Sequence, residues 1–305
     1  MAHMGWYADA TALLMNLTAP LTVRYGDALQ ISGADVEDPE TWRVPTRHGT
    51  VRCYVYRPTA GRHAARSEDA PSAPGVYVHL HGGAFLMRHA AMDDFFARHV
   101  VATTGAAVVN VDYDVAPRHR YPVAHHQAHD VVEWVAQNAG TQGLDGRRLV
   151  VGGFSAGGNL AASVCLQARD QGHQPARLQL LGVPSLDVST THKPATVPRP
   201  MISERTVRLV RATYFKDASR RSEPYASPLL ADDLHGLPPA LVLTAEHDAL
   251  RAEGDAYARR LADVGIPVEH HVVPGQDHYF LDPADLRQAR RWMDLMADAI
   301  ARALV

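Results

Sequence analysis

Cysteine is scarce: Cys53 and Cys165 are the only two in 305 residues. A small secreted scaffold stapled by disulfides needs more, so the fold must rest on a hydrophobic core. Cys165 falls in an apolar helical pattern and reads as a buried small hydrophobe. Long apolar runs are missing too. No stretch of 18 apolar residues occurs, which excludes a transmembrane helix. Neither sign of charge dominates: 30 Lys and Arg stand against 33 Asp and Glu, a net charge of -3. Nothing in that balance favours nucleic acid or an acidic membrane surface as a partner. A basic start followed by an apolar core is also lacking, so no signal peptide is expected and a cytoplasmic location is the default reading. The opening Met1-Ala-His-Met4 reads as a cloning remnant. Repeats and long low-complexity tracts are absent.

What is present suits a globular protein, with 46% hydrophobic and 21% charged residues. The 18 histidines will move the net charge as pH falls toward about 6. Short runs rich in β-branched residues read as buried strands: Gly75 to His81, Ala106 to Asp112, Arg148 to Gly153, Ala240 to Ala245 and Val268 to Val273. Helical spacing of apolar residues covers Asp93 to Thr104, His125 to Asn138, Asn159 to Asp170, Arg251 to Val264 and Asp285 to Ala303. Strand alternating with helix predicts an α/β protein, a mostly parallel sheet covered on both faces. Right-handed crossovers then gather the strand C-terminal ends along one edge, where ligands bind. Thr59 to Pro74, rich in Ala, Ser, Arg and Pro, reads as an exposed loop.

Two stretches break the rhythm: residues 1–45, and residues 188–222 with Pro194, Pro198 and Pro200 ahead of a helical Ser203 to Lys216. They are expected to form a small cap over the site, leaving residues 46–305 as the catalytic domain. An apolar side of the second stretch, with Val207, Val210, Tyr214 and Phe215, is expected to meet Leu13, Leu14 and Leu17 of the first.

Gly153-Phe154-Ser155-Ala156-Gly157 fits G-x-S-x-G between a strand and a helix. A sharp turn there exposes the serine, and the helix start points free N–H groups at the same place. A bare match of this kind also occurs in other glycine-rich strand-to-helix turns; the flanking context carries the reading. His81-Gly82-Gly83-Ala84-Phe85 ends an earlier strand. The N–H groups of Gly82 and Gly83, with that of Ala156, are placed to hold an oxyanion on a carbonyl under attack. A serine hydroxyl needs a base, and in hydrolases built on such an elbow the acid and then the base follow the serine in chain order. Asp248, just after a strand, and His278, in the loop after the next, fill those places. Glu246 and Asp277 are rival acids and His247 a rival base.

With these segments in hand the chain resembles the hormone-sensitive-lipase-like esterases, the bacterial family IV of the α/β-hydrolases. The matching residues are His81 to Phe85, Val111-Asp-Tyr113, Ala116-Pro117, Gly153-Phe-Ser-Ala-Gly-Gly-Asn159, Ser227-Pro-Leu-Leu230, Thr244 to Arg251, Pro274-Gly275 and His278. The resemblance implies an α/β-hydrolase fold, a mostly parallel eight-stranded sheet with helices on both faces and a small N-terminal helical cap. It implies hydrolysis of short to medium acyl esters by a Ser155-His278-Asp248 triad through an acyl-enzyme, with no cofactor and no metal. The partner is then a small-molecule ester, and since many members dimerise, a homodimer is expected.

Three departures stand out. Ala84 replaces the family's third glycine. Phe154 replaces the acidic residue before the serine and makes that wall apolar. Asp114 and Arg118 reverse two charges, which suggests an ion pair between them. Ala84, Phe154, Tyr214 and Phe215 are the expected pocket residues, with Trp6 and Tyr7 as further aromatics of the cap. His125, His126 and His129 read as a solvated helix face rather than a metal site. Two other functions stay open at this point: a biosynthetic deacetylase or acyltransferase using the same serine, and a non-catalytic receptor on the same fold.

Overall fold

The computed structural model describes residues 2–59 and 73–305, with residues 2–5 described by backbone alone. The loop expected at Thr59 to Pro74 therefore falls largely, at residues 60–72, outside the described residues. The chain runs α1 (Ala2–Thr22), β1 (Glu40–Thr46), β2 (Gly49–Tyr56), β3 (Gly75–Leu80), α2 (Asp94–Thr104), β4 (Ala107–Asp112), α3 (Val123–Asn138) and β5 (Asp145–Phe154). It continues α4 (Ala156–Asp170), β6 (Ala176–Gly182), α5 (Glu204–Thr213), β7 (Ala240–Ala245), α6 (Arg251–Asp263), β8 (Val268–Val273) and α7 (Leu286–Ala303). The strands form one eight-stranded sheet in the order β1-β2-β4-β3-β5-β6-β7-β8. Only β2 pairs antiparallel with its neighbours β1 and β4; the remaining pairs are parallel.

The central strands are buried on both faces, as their unbroken apolar runs require. Alternation still divides their side chains. Val76, Val78 and Leu80 join one core with Val131 of α3, Leu160 of α4 and Tyr257 of α6. Tyr77 joins the opposite core with Phe96 of α2 and Trp292 and Met296 of α7. In β7, Val242 points to the first core and Leu241 and Leu243 to the second.

All five strands read from the sequence are present, and β1, β2 and β6 join them. The first two form a half-exposed edge hairpin in which Trp42, Val44, Val51, Cys53 and Val55 are buried while charged neighbours face water. Pro45 is tolerated in β1 because that strand is the sheet's edge. In β6 the apolar run is interrupted by Gln179, fully buried, whose amide donates to Pro238 O at 3.1 Å.

Helix α1 packs on α5, but not with the leucines expected. It buries Ala8, Ala12 and Ala19, while Leu14 and Leu17 are 62% and 68% exposed. Small side chains let the two helix backbones approach, which turns Leu14 and Leu17 outward and leaves Leu13 half-buried. Asp114 pairs with Arg88 Nη1 at 2.6 Å rather than with Arg118. Both cysteines are buried and free. Among the described residues no helix is long and apolar enough to cross a membrane.

Candidate active site

Ser155 stands between the last residue of β5 and the first of α4. Its φ of 55° and ψ of -113° are costly for a residue that carries a Cβ. Three hydrogen bonds hold it there. Its N–H donates to Gly182 O at 2.8 Å, and its own carbonyl accepts from Asn159 N at 3.1 Å and Ser185 N at 3.2 Å. The flanking glycines are required by space. A Cβ on Gly153 would lie 2.1 Å from the carbonyl oxygen of Leu80, and one on Gly157 only 1.8 Å from the same atom. The elbow is pressed so closely onto the end of β3 that no side chain fits between them.

The triad candidates converge on Ser155 from two neighbouring loops. Asp248 follows β7, and its side chain is 1% exposed. Its Oδ1 accepts from Leu250 N at 3.0 Å and its Oδ2 from His278 Nδ1 at 2.9 Å. His278 lies in the loop after β8, with Nε2 2.8 Å from Ser155 Oγ. Burial of His278 opposes its protonation, but the Asp248 carboxylate and its hydrogen bond outweigh that and hold the pKa above the ordinary histidine value. The rivals are engaged elsewhere. Glu246 accepts from Gly275 N at 2.7 Å, Asp277 from Met201 N at 2.8 Å, and His247 Nδ1 meets Thr196 Oγ1 at 2.8 Å.

The turn after β3 supplies the other expected donors. Gly83 takes φ of 106°, and Ala84 and Phe85 follow at 56° and 59°. Ala84 therefore bears the left-handed conformation that a third glycine would adopt without strain. Phe85 is locked by the ring of Tyr214, stacked at 4.7 Å and 6°. Tyr113 Oη donates to His81 O at 2.7 Å, and its ring stacks on His81 at 4.3 Å. Burial pushes the His81 pKa down to about 4, so its ring is neutral in this packing. Among the described residues, nothing accepts a hydrogen bond from the backbone N–H of Gly82, Gly83 or Ala156.

Phe154 and Ala84 line a cavity of about 270 Å³ that opens on Ser155 and His278. Phe154 also reaches into the second core, with its ring 5.2 Å from those of His79 and Phe96. The cavity's roof comes from both irregular stretches: Met15, Val23 and Tyr25 from the first, Met201, Ile202 and Thr206 from the second. Tyr214 and Phe215 do not line it. They are 0% and 1% exposed and pack under the site against Phe85 and His125. Trp6 and Tyr7 face solvent at 65% and 59% exposure.

The expected solvated face of α3 is likewise corrected. His125 and His129 are buried because α3 packs on α4 and β1. His125 Nδ1 meets Tyr214 Oη at 3.0 Å, and its Nε2 meets Asn159 Oδ1 at 2.8 Å. Asn159 in turn donates to Ser185 O and Ala226 O. Burial pushes the His125 pKa down to about 3, so the ring is a neutral link between α3 and the elbow helix.

Sequence reasoning missed two polar clusters. In the first, Asp93 is fully buried, accepting from Tyr25 Oη at 2.7 Å and pairing with His79 Nε2 at 2.9 Å. In the second, Lys193 Nζ donates to Glu253 Oε2 at 2.7 Å and to Asp187 O at 2.5 Å. Burial raises the Glu253 pKa to about 7 although Lys193 pulls it down. One signal was available: Lys193 and Lys216 are the only lysines in a chain with 30 basic residues of this type.

Comparison with known proteins gives the family. A family model described as the alpha/beta hydrolase fold matches residues 77–282. An arylesterase of Saccharolobus solfataricus is 34% identical over 221 residues, spanning 70% of this chain and 71% of that protein. An ethyl acetate hydrolase of Pseudomonas putida is 32% identical over 242 residues, spanning 77% of this chain and 73% of that protein. The solved structure of a Pyrobaculum calidifontis esterase superposes with a TM-score of 0.83 at 30% identity, covering 96% of this chain and 94% of the other. The chain belongs to the α/β-hydrolase family, in its hormone-sensitive-lipase-like branch, and is a carboxylic-ester hydrolase.

Proposed function

We propose that Ser155 is the nucleophile of this esterase, His278 its general base and acid, and Asp248 the carboxylate that orients the histidine. The observation that carries this reading is the pair of hydrogen bonds from His278 Nδ1 to Asp248 Oδ2 at 2.9 Å and from Ser155 Oγ to His278 Nε2 at 2.8 Å. His278 takes the Ser155 proton as Oγ adds to the ester carbonyl carbon. The carbonyl oxygen becomes an oxyanion held by the N–H groups of Gly82, Gly83 and Ala156, each such donor being worth about 3 kcal/mol. The imidazolium, paired with Asp248, then gives its proton to the leaving alcohol oxygen as the C–O bond breaks. Water attacks the acyl-enzyme with His278 again as base, and collapse of the second intermediate releases the acid and Ser155.

The substrates in this reading are small esters of short to medium acyl acids, and the apolar wall of Phe154, Met87, Met92 and Phe280 supports the seating of an apolar half of such an ester. Similarity to an ethyl acetate hydrolase supports the short end of that range. The roof residues support a cap made of residues 1–45 and 188–222, although β1 already begins at Glu40. A homodimer belongs to the same reading, supported by the exposed row Leu14, Leu17 and Leu21 on α1. Cytoplasmic location rests on the sequence alone.

The test is labelling with a fluorophosphonate ester followed by peptide mass spectrometry, alongside p-nitrophenyl acetate hydrolysis. One adduct, on the peptide holding Ser155, and loss of both signals in Ser155→Ala are expected. Hydrolysis persisting at the wild-type rate in that variant would refute the assignment.

A further inference from the structure

Two cavities flank Ser155. The larger, about 270 Å³, is also bordered by Gly82, Gly83 and His278. The smaller, about 40 Å³, is bordered by Ser155 and Ala156 but not by His278, and its walls include Asp187, Lys193 and Arg211. This asymmetry orients the substrate, given the triad reading above. The leaving oxygen must lie beside His278, which returns a proton to it. The alcohol half then occupies the larger cavity and the acyl half the smaller one. A volume of about 40 Å³ holds roughly three water-sized groups.

Arg211, on the cap helix α5, is the cation in that wall without a carboxylate at contact distance. Its Nη1 donates to the carbonyl of Val188 at 2.9 Å, and among the described residues no carboxylate lies within ion-pair distance of it. Arg221 adds a like charge nearby, and Asp187 an opposite one. Asp187, the one carboxylate on the same wall, has its Oδ1 occupied by the N–H and hydroxyl of Ser189. Lys193 spends two of its three donors on Glu253 and the Asp187 carbonyl, which leaves one. Arg211 is half-buried and keeps N–H donors beyond the one spent on the Val188 carbonyl. An anion entering the cavity beside it gains a charge-assisted hydrogen bond.

We propose that the smaller cavity is an acyl subsite for a short dicarboxylic hemiester, whose distal carboxylate pairs with Arg211 and the remaining N–H of Lys193. The volume favours a malonyl-sized acyl group over longer ones. The chemistry is the ordinary ester cleavage, releasing an alcohol and a dicarboxylate.

The experiment compares kcat/KM for monobutyl malonate and butyl 3-methylbutanoate, which swaps the carboxylate for an isosteric isopropyl group. Wild type should favour the malonate by about tenfold or more, the value of a charged hydrogen bond. Arg211→Met should bring the ratio to about one, and Arg211→Lys should keep part of it. Because the ratio is taken within one variant, the fraction of folded protein cancels. A wild-type ratio of one or less, or an unchanged ratio in Arg211→Met, overturns the proposal. Should Arg211→Met not fold, wild type alone decides: free malonate should compete with butyl acetate, less so at high salt, and no inhibition at millimolar malonate overturns the subsite. Preference for 2-carboxyethyl acetate over butyl acetate would place the anion on the alcohol half and overturn it too. Butyl acetate separates this proposal from the triad reading. Its cleavage by wild type but not Ser155→Ala, without any malonate preference, sinks only the subsite.

Discussion

The hydroxyl of Tyr25 donates to the buried carboxylate of Asp93 at 2.7 Å, tying a residue of the N-terminal stretch to one just ahead of α2. The other oxygen of Asp93 is held by His79, whose Nδ1 meets Tyr77 Oη at 2.9 Å. Tyr25 also borders the larger cavity, and its ring lies 4.0 Å from that of Tyr279, the neighbour of His278. Tyr25→Phe keeps the ring and leaves Asp93 Oδ1 without its donor. Stability should fall by about 1–3 kcal/mol, the cost of an unsatisfied buried acceptor. Chemical denaturation of both proteins measures it, and an unchanged midpoint would show that the bond contributes nothing.

The pH dependence follows from the elevated pKa of His278. A general base must be neutral, so kcat/KM should fall on the acid side with a midpoint above about 6.5, the ordinary histidine value. Asp248→Asn removes the carboxylate that raises this pKa. The acid limb should move to lower pH, and the plateau rate should drop by about a thousandfold or more. A flat profile between about pH 5 and 8 contradicts a histidine base.

Acyl-chain preference is set by the smaller cavity. Across p-nitrophenyl acetate, butyrate, octanoate and dodecanoate, kcat/KM should peak at butyrate or shorter. Each methylene that finds a buried site gains about 0.8 kcal/mol, so a long apolar channel would reveal itself as a steep rise. An optimum at octanoate or beyond excludes the small cavity as the acyl site.

Gly157→Ala tests the packing of the elbow. A methyl group placed 1.8 Å from the Leu80 carbonyl forces β3 and α4 apart. The expected loss is about 3 kcal/mol or more, at the upper end of overpacking costs, together with loss of ester cleavage. A melting temperature equal to wild type would mean that the close approach is not real. Gly172→Ala, where no atom lies within 4 Å of the added carbon, serves as the comparison, with only its positive φ to contend with.

The strands and helices were legible where periodicity is strong, because central strands buried on both faces read as unbroken apolar runs. The edge hairpin was not, since half of its residues face water, and β6 was hidden by a buried glutamine. That Ser155, Asp248 and His278 meet was legible because strand ends fix where short loops point. Tyr214, Phe215 and His125 were misplaced for one common reason. Aromatic and histidine residues on a helix or just past its end look alike whether they line a cavity or fill the core beneath it, and only the packing of α3 and of the turn after α5 separates the two. Arg211 left no local signal at all. Its position depends on how residues 188–222 fold back over Ser155.

Lys193 and Arg211 both belong to that returning stretch, whereas Ser155, Asp248 and His278 hang from the ends of β5, β7 and β8. In the proposed assignment, bond breaking and recognition of the acyl group are encoded in separate pieces of chain. A homologue could exchange residues 188–222 and acquire a new diet of esters while inheriting its bond-breaking apparatus untouched. For protein engineering, that makes the stretch a natural cassette for grafting or for directed evolution, and the glycine-packed elbow a part best left alone.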